Sequence, residues 1–212
     1  MRLEKEQDLL RHLKEDACLP VYLLYGQQSY LVRLYAKKLR EKAVPPSLMD
    51  LNFTYFEASR TGVDEVSDAL ESISFSGGTR CVQLTDLDAD KLSAAEWAKW
   101  KERLSAFPED TVLILSQQNI PVDPKKSSRW RAILKSVEES GASGELPGRS
   151  RRETVRFLTA LCQKNGCTIS PAACESLIDR CGDDMLVLGQ EVQKLCAYQG
   201  EGEIPASAVE KL

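Results

Sequence analysis

The stretch that decides the fold is Val21-Tyr22-Leu23-Leu24-Tyr25-Gly26-Gln27-Gln28-Ser29-Tyr30. Its first five residues are an unbroken apolar run of strand length, and Gly26 stops it. A strand with no polar face is buried on both sides, the environment of a parallel sheet covered by helices. Residues 28–43 follow as a helix, with Tyr30, Leu31, Leu34, Tyr35 and Leu39 along its apolar side. Pro45-Pro46 ends that unit.

Working outward, the same alternation repeats. Upstream, residues 4–15 read as an amphipathic helix with Leu9, Leu10 and Leu13 as its stripe, broken by Leu19-Pro20. Downstream come a strand at Phe53 to Phe56, a helix at 63–73 and a strand from Arg80 to Leu84. A helix at 93–106 carries Trp97, Trp100 and Leu104. Thr111 to Leu115 is another apolar strand, 127–139 a helix, and Ser143 to Leu146 a short final strand. Strands separated by helices of this length imply βαβ units in three layers. After Gly148 the pattern becomes helical, at 150–166, 171–180, 184–198 and from Ala206 onward. Ser170-Pro171 is an N-cap followed by a first-turn proline, and Gly182-Asp183-Asp184 caps the next helix. The expected fold is α/β, an AAA+-like three-layer domain with a mainly parallel sheet over 1–147, then a small helical lid over 148–212.

Composition narrows the classes. With 42% hydrophobic and 28% charged residues, the chain is an ordinary globular protein. A net charge of -4 argues against a nucleic-acid-coating protein. The single histidine, His12, excludes a histidine-based triad or a multi-histidine metal site. Met1 to Asp16 is charged throughout and lacks the apolar core of a signal peptide, and no window reaches membrane-spanning length, so the cytoplasm is expected. The cysteines at 18, 81, 162, 167, 174, 181 and 196 form no CxxC pair. They read as free buried thiols without zinc.

An α/β domain followed by a helical lid resembles an AAA+ ATPase module. That module's phosphate loop needs a glycine-rich turn, a lysine and a Ser/Thr. Gly26-Gln27-Gln28-Ser29-Tyr30 has one glycine and no lysine. Arg33, Lys37 and Lys38 lie too far along the helix to replace it. Asp86 and Asp88, after the third strand, read as solvated loop carboxylates. Gly77-Gly78 precedes a strand and does not match a nucleotide cradle. No carboxylate pair, Ser-His or Cys-His set occurs at a catalytic spacing. The sequence therefore predicts no catalytic residue, no cofactor and no metal site.

Tyr22-Leu23-Leu24-Tyr25-Gly26 with Tyr30-Leu31 resembles the opening of the bacterial DNA polymerase III delta subunit. Ser74-Phe75-Ser76-Gly77-Gly78-Thr79-Arg80 is similar to that family's segment before the third strand. Lys164 to Ile169 with Ala172-Ala173, then Gly182-Asp183-Asp184-Met185 through Leu188, Glu191 and Lys194-Leu195, resemble its helical signatures. The resemblance covers nearly the whole chain, and its force lies in the order and spacing of the motifs. It implies a clamp-loader subunit that binds and opens the beta sliding clamp while sister subunits hydrolyse ATP. The implied partners are the clamp, the tau/gamma and delta-prime subunits, and primed DNA in the assembled loader. The third, collar domain of the family is expected to be missing after Leu212, leaving a monomer when alone.

The family's clamp contact is a pair of hydrophobes before the third strand. Carried over, the first is Phe75 and the second falls on Ser76, a departure from the pattern, with Ile73 as the nearby apolar replacement. Ile73 and Phe75 are the only large apolar side chains from Ser72 to Gly78, a setting suited to an exposed anchor. The alternative is that they cap the domain's own core. Lys125, Lys126, Arg129 and Arg131, with Lys135 beyond and Trp130 among them, are candidate phosphate contacts or else a solvated helix face. The rival functions are a sister-type AAA+ loader subunit and a degenerate nucleotide-binding ATPase.

Overall fold

The run at 21–26 forms a central strand, and the rest of the first unit is arranged around it. In the computed structural model, which describes residues 1–14, 17–72 and 77–210, the chain divides into two compact units, Met1–Pro147 and Gly148–Leu212. The first begins with β1 (Arg2–Leu3), α1 (Glu6–His12), β2 (Val21–Gly26) and α2 (Ser29–Ala43). A 3₁₀ turn at Pro46–Leu48 leads into α3 (Met49–Asn52), β3 (Phe53–Glu57) and α4 (Val63–Glu71). Then come β4 (Arg80–Thr85), α5 (Ala94–Arg103), β5 (Thr111–Ser116), α6 (Ser128–Ser140) and β6 (Ala142–Leu146).

Among the described residues these strands form one six-stranded sheet in the order β1-β6-β2-β5-β4-β3, every pairing parallel. Strand β2 pairs with β5 from Val21↔Leu113 and with β6 from Tyr22↔Ala142 to Gly26↔Leu146. Its residues Val21 to Tyr25 are all buried. Side chains alternate across the sheet. Val21, Leu23 and Tyr25 join Val82, Leu84, Leu113 and Leu115 beneath Val66 and Leu70 of α4, Trp100 of α5, and Trp130, Ile133 and Val137 of α6. Tyr22 and Leu24 face the other way, toward the layer that holds α2, whose Leu31, Val32, Tyr35 and Leu39 are buried.

Local chemistry sets several helix starts. Ser93 accepts the Glu96 amide at 3.2 Å while the Glu96 carboxylate accepts the Ser93 amide at 2.8 Å, a capping box that opens α5. Ser127 accepts the Trp130 amide at 3.1 Å and opens α6.

The N-terminus departs from expectation. Arg2 and Leu3 pair with Ser143 and Gly144 as a sixth strand, and the helix shortens to α1. Leu10, expected on its apolar stripe, is 38% exposed, while His12 is buried. The reason is a polar contact, His12 Nε2 to the Tyr22 hydroxyl at 2.8 Å, and that hydroxyl also accepts the Leu19 amide at 2.7 Å.

The second unit contains α7 (Arg151–Lys164), β7 (Cys167–Ile169), α8 (Pro171–Cys181), α9 (Met185–Gln199), β8 (Gly202–Ile204) and α10 (Ala206–Val209). It is not purely helical: β7 and β8 pair in parallel from Cys167↔Gly202 to Ile169↔Ile204. Ser170 caps α8 through the Ala173 amide at 3.2 Å, with Pro171 in the first turn. Asp184 caps α9 through the amides of Leu186 at 2.7 Å and Val187 at 3.3 Å. Leu158, Leu177, Leu188 and Val192 form its core.

Leu23 sits in the central strand with no exposed surface. Leu23→Ala is expected to cost about 2–5 kcal/mol of stability, because the strand cannot collapse around the cavity. Denaturant unfolding of the variant checks this, and a loss below about 1 kcal/mol would contradict a core position.

Candidate functional site

Open parallel sheets bind ligands in the crevice beyond the carboxyl ends of their strands. In this chain that edge is already filled by contacts within the chain. Between β2 and α2 there are only Gln27 and Gln28. A β-carbon on Gly26, whose φ is +147°, would lie 1.9 Å from the Leu146 carbonyl oxygen. The glycine therefore serves the close approach of β2 to β6.

Beyond β4, Asp86 takes a positive φ of 60°. One of its oxygens accepts the amides of Gln118 at 2.6 Å and Asn119 at 2.8 Å, and the other accepts the Asn119 side-chain amide at 2.6 Å. Arg33 Nε donates to the Gln118 side chain at 3.0 Å. Asp86 is thus not the solvated carboxylate the sequence suggests: it ties the loop after β4 to the loop after β5. Asp88 pairs with Lys91 at 2.9 Å. Next to this edge, the Tyr25 hydroxyl lies 3.4 Å from Glu145 Oε2, which Arg2 Nη2 approaches at 3.3 Å. Burial, and then the Glu145 charge, push the Tyr25 hydroxyl up from 10.0 to about 12. A pocket of about 410 Å³ beside it is lined by Arg2, Arg131, Lys135, Glu138 and Glu139, charges of both signs.

Ile73, Phe75 and Ser76 lie outside the described residues. The flanks of that segment are described. On one side α4 ends at Glu71, and the Ser72 hydroxyl donates to the Ala69 carbonyl at 2.9 Å. On the other, Asn52 Nδ2 donates to the Gly77 carbonyl at 2.9 Å. Arg80, the first residue of β4, reaches back to the Ala69 carbonyl. The described flanks, Ser72 on one side and Gly77 and Arg80 on the other, are therefore bonded to α3 and α4. Asn52 is buried at the end of α3, and its bond to Gly77 across 25 positions left no signal in the sequence.

The basic stretch does not form one uniform surface. Arg129 Nη1 donates to the carbonyls of Ala89 at 2.8 Å and Leu92 at 2.6 Å, and its guanidinium lies 5.7 Å over the Trp97 ring. It joins α6 to the loop before α5. Arg131 Nε donates to the Pro124 carbonyl at 3.1 Å, and Lys126 pairs with Asp123 at 3.6 Å. Lys135 lies 3.9 Å from Glu139. Trp130 is buried in the core. Lys125 is exposed.

All seven cysteines are free thiols; Cys18 and Cys181 are half-buried and the other five are buried. Among the described residues no group of three or more His, Cys, Asp or Glu side chains is arranged to hold a metal ion, and no helix is long and apolar enough to cross a membrane. In the second unit Cys167 Sγ donates to the Gly200 carbonyl at 3.4 Å. Burial pushes Cys81 up from 9.0 to about 12, and burial together with the neighbouring Cys196 does the same to Cys162. Since the thiolate is the reactive form, these thiols are inert at neutral pH. An aromatic disulfide reagent at pH 8 should titrate only Cys18 and Cys181 in the folded chain and all seven thiols in guanidinium. A third fast thiol in the native state would contradict this. The raised values also fix a sign. Folding favours the protonated thiol, so this contribution is complete below pH 9.0 and is lost as pH rises toward about 12. Unfolding at stepped pH should show stability falling across that window.

The family described as DNA polymerase III, delta subunit matches residues 22–139. The DNA polymerase III subunit delta of Bacillus subtilis is 25% identical over 206 residues, 92% of this chain and 57% of that protein. The chain thus spans little more than half of that relative's length. The solved structure of the Bacillus subtilis DNA clamp loader delta protein is similar with a TM-score of 0.59 at 23% identity, covering 97% of this chain and 61% of the other. A DNA polymerase III gamma subunit-related protein of Thermotoga maritima shares the fold with a TM-score of 0.53 at 13% identity, over 89% of this chain and 57% of that one.

Proposed function

The chain belongs to the DNA polymerase III delta-subunit family, and on that premise we propose that it is the clamp-gripping part of a clamp loader, which helps open a ring-shaped sliding clamp without hydrolysing ATP. The observation that carries the proposal is the edge where a nucleotide would bind. The turn after β2 has two residues and no lysine, its glycine is packed on Leu146, and the oxygens of Asp86 accept three hydrogen bonds from the loop after β5. The fold is similar to that of clamp-loader subunits, and we read the turn after β2 and Asp86 as internal joints where an ATPase would hold phosphate and magnesium.

The clamp contact is assigned to Phe75, with Ile73 beside it and Ser76 at the second wedge position. Support comes from the resemblance at Ser74 to Arg80 and from the anchoring of Gly77 to Asn52, which fixes one flank. The partners proposed with it are the beta sliding clamp, the tau/gamma and delta-prime subunits, and primed DNA, the last through Lys125, Lys126 and Arg131. The expected compartment is the cytoplasm.

Two measurements test this. Titration calorimetry with ATP and Mg²⁺ should be flat, and saturable one-to-one binding with turnover would overturn the non-hydrolysing role. The affinity of the chain for its cognate sliding clamp should fall by about 2–4 kcal/mol, roughly 30- to 1000-fold, in Phe75→Ala, while Lys125→Ala binds normally. The thermal melt of Phe75→Ala should match the unaltered chain. Normal clamp binding by Phe75→Ala would remove Phe75 as the wedge, and a sharply lowered melt would make it a core residue.

A further inference from the structure

Among the described residues, four large hydrophobic side chains of the first unit are strongly exposed: Met1, Leu10, Leu51 and Tyr55. Two of them share one corner. Leu51, on α3, is 62% exposed, and Tyr55, on β3, is 46% exposed. Strand β3 is the last strand of the sheet. Natural edge strands are usually short or carry lysine, proline or a bulge, which discourages pairing with another chain. Phe53-Thr54-Tyr55-Phe56 has no charge before Glu57, and five residues are enough to offer a ladder. Phe53 and Tyr55 share one face of the strand by its two-residue alternation. The Arg40 guanidinium lies 5.0 Å over the Phe53 ring, so this face borders α2.

The corner is continuous with the segment assigned to the clamp. Asn52, the residue after Leu51, is buried and holds the Gly77 carbonyl at 2.9 Å. A β-carbon on Gly78 would lie 3.8 Å from Leu48 Cδ1, so the 3₁₀ turn touches the same stretch. Gly77 is one peptide, about 3.8 Å of chain, from Ser76. From Leu51 to Tyr55 is four residues, at most about 13 Å at the strand rise. Leu51 and Tyr55 therefore lie close along the chain to Asn52, the residue that holds the Gly77 flank.

We infer that Leu51 and Tyr55 form a second, flanking contact with the sliding clamp, burying their exposed apolar surface against the same partner that takes Phe75. This rests on the clamp-binding reading above. The partner's matching surface is apolar, since neither side chain carries a charge and only the Tyr55 hydroxyl needs a polar neighbour. A flanking contact is weaker than a central anchor. Leu51→Ser and Tyr55→Ser are each expected to weaken clamp binding about 5- to 30-fold. Their thermal melts should change little, because much of the replaced surface is already in water. Leu10→Ser is the control: Leu10 is exposed on α1, which packs by β1 and β6 at the opposite edge of the sheet, and should bind normally.

A measurement on the unaltered chain does not depend on any variant folding. Hydrogen exchange at the amides of residues 51–57 should slow when the clamp is added. If Phe75→Ala loses binding while Leu51→Ser and Tyr55→Ser keep it, and exchange at 51–57 is unaffected, the flanking contact is wrong and the clamp-binding reading stands. If the unaltered chain does not bind the clamp, both fall. If light scattering shows the chain dimerising and Tyr55→Ser abolishes the dimer without touching clamp affinity, the edge serves a second copy of the chain and the inference is overturned. Equal weakening by Leu10→Ser would mark nonspecific adhesion and overturn it as well.

Discussion

The β2–β6 pair is held at both ends by glycine. At the start of β6, a β-carbon on Gly141 would lie 1.9 Å from the Val21 carbonyl oxygen, and at the far end of β2, one on Gly26 would lie 1.9 Å from the Leu146 carbonyl oxygen. No side chain fits either gap, so the two backbones approach directly and the five-residue register between them is fixed. Everything else in the first unit is referred to this pair. Strand β5 takes the other side of β2, β4 and β3 follow outward, and α4, α5 and α6 close the face lined by Val21, Leu23 and Tyr25. A parallel ladder is stable only when both faces are covered, which is why α2 and α6 must both pack where β2 lies.

The same constraint bears on the proposed absence of a nucleotide site. A phosphate cradle needs a loop long enough to turn several amides inward, beginning where β2 ends. Here the glycine at that point is committed to Leu146, and the helix starts after two more residues. Asp86 shows the same conversion. A carboxylate beyond a central strand is well placed to hold a metal-bound phosphate, but its oxygens accept from Gln118 and Asn119. The non-glycine positive φ at Asp86 is the local cost of aiming the carboxylate across the gap. The crevice has become a rigid junction between two loops.

What could be read from the sequence follows from whether its cause is local. The strands at 21–26 and 111–116 are apolar runs, and they and the strand at 80–85 stand within a residue or so of where the sequence pattern puts them. The caps at Ser170 and Asp184 are chemistry between residues two or three apart. What the sequence hid depends on distant partners. Strand β1 has two residues and exists only because Ser143 and Gly144 are beside it, and β7 and β8 exist only through each other. His12 displaces Leu10 from the buried side because Tyr22 offers a hydroxyl, and Arg129 leaves the basic stretch because Ala89 and Leu92 offer carbonyls. Beside residues 73–76 the hidden part was Asn52, whose hold on Gly77 spans 25 positions and leaves no periodic trace.

The two edges of the sheet are handled in opposite ways. The β1 edge is two residues long, and its Arg2 pairs with Glu145 on the neighbouring strand. A short charged edge is how proteins prevent a further strand from adding. The β3 edge has five residues, an exposed Tyr55, and an exposed Leu51 just before it. The part of that apolar surface left exposed gains nothing for the fold, since it lies in water whether or not the chain is folded. The Asn52 amide, by contrast, is buried and well bonded, so the corner is held in place by polar chemistry while its apolar groups face out. Rigid support beneath exposed hydrophobes is the arrangement a docking surface needs, because a preformed contact avoids the entropy of ordering on binding. In the first unit the two edges of the sheet thus differ: one is short and charged, and the other is longer and uncharged before Glu57.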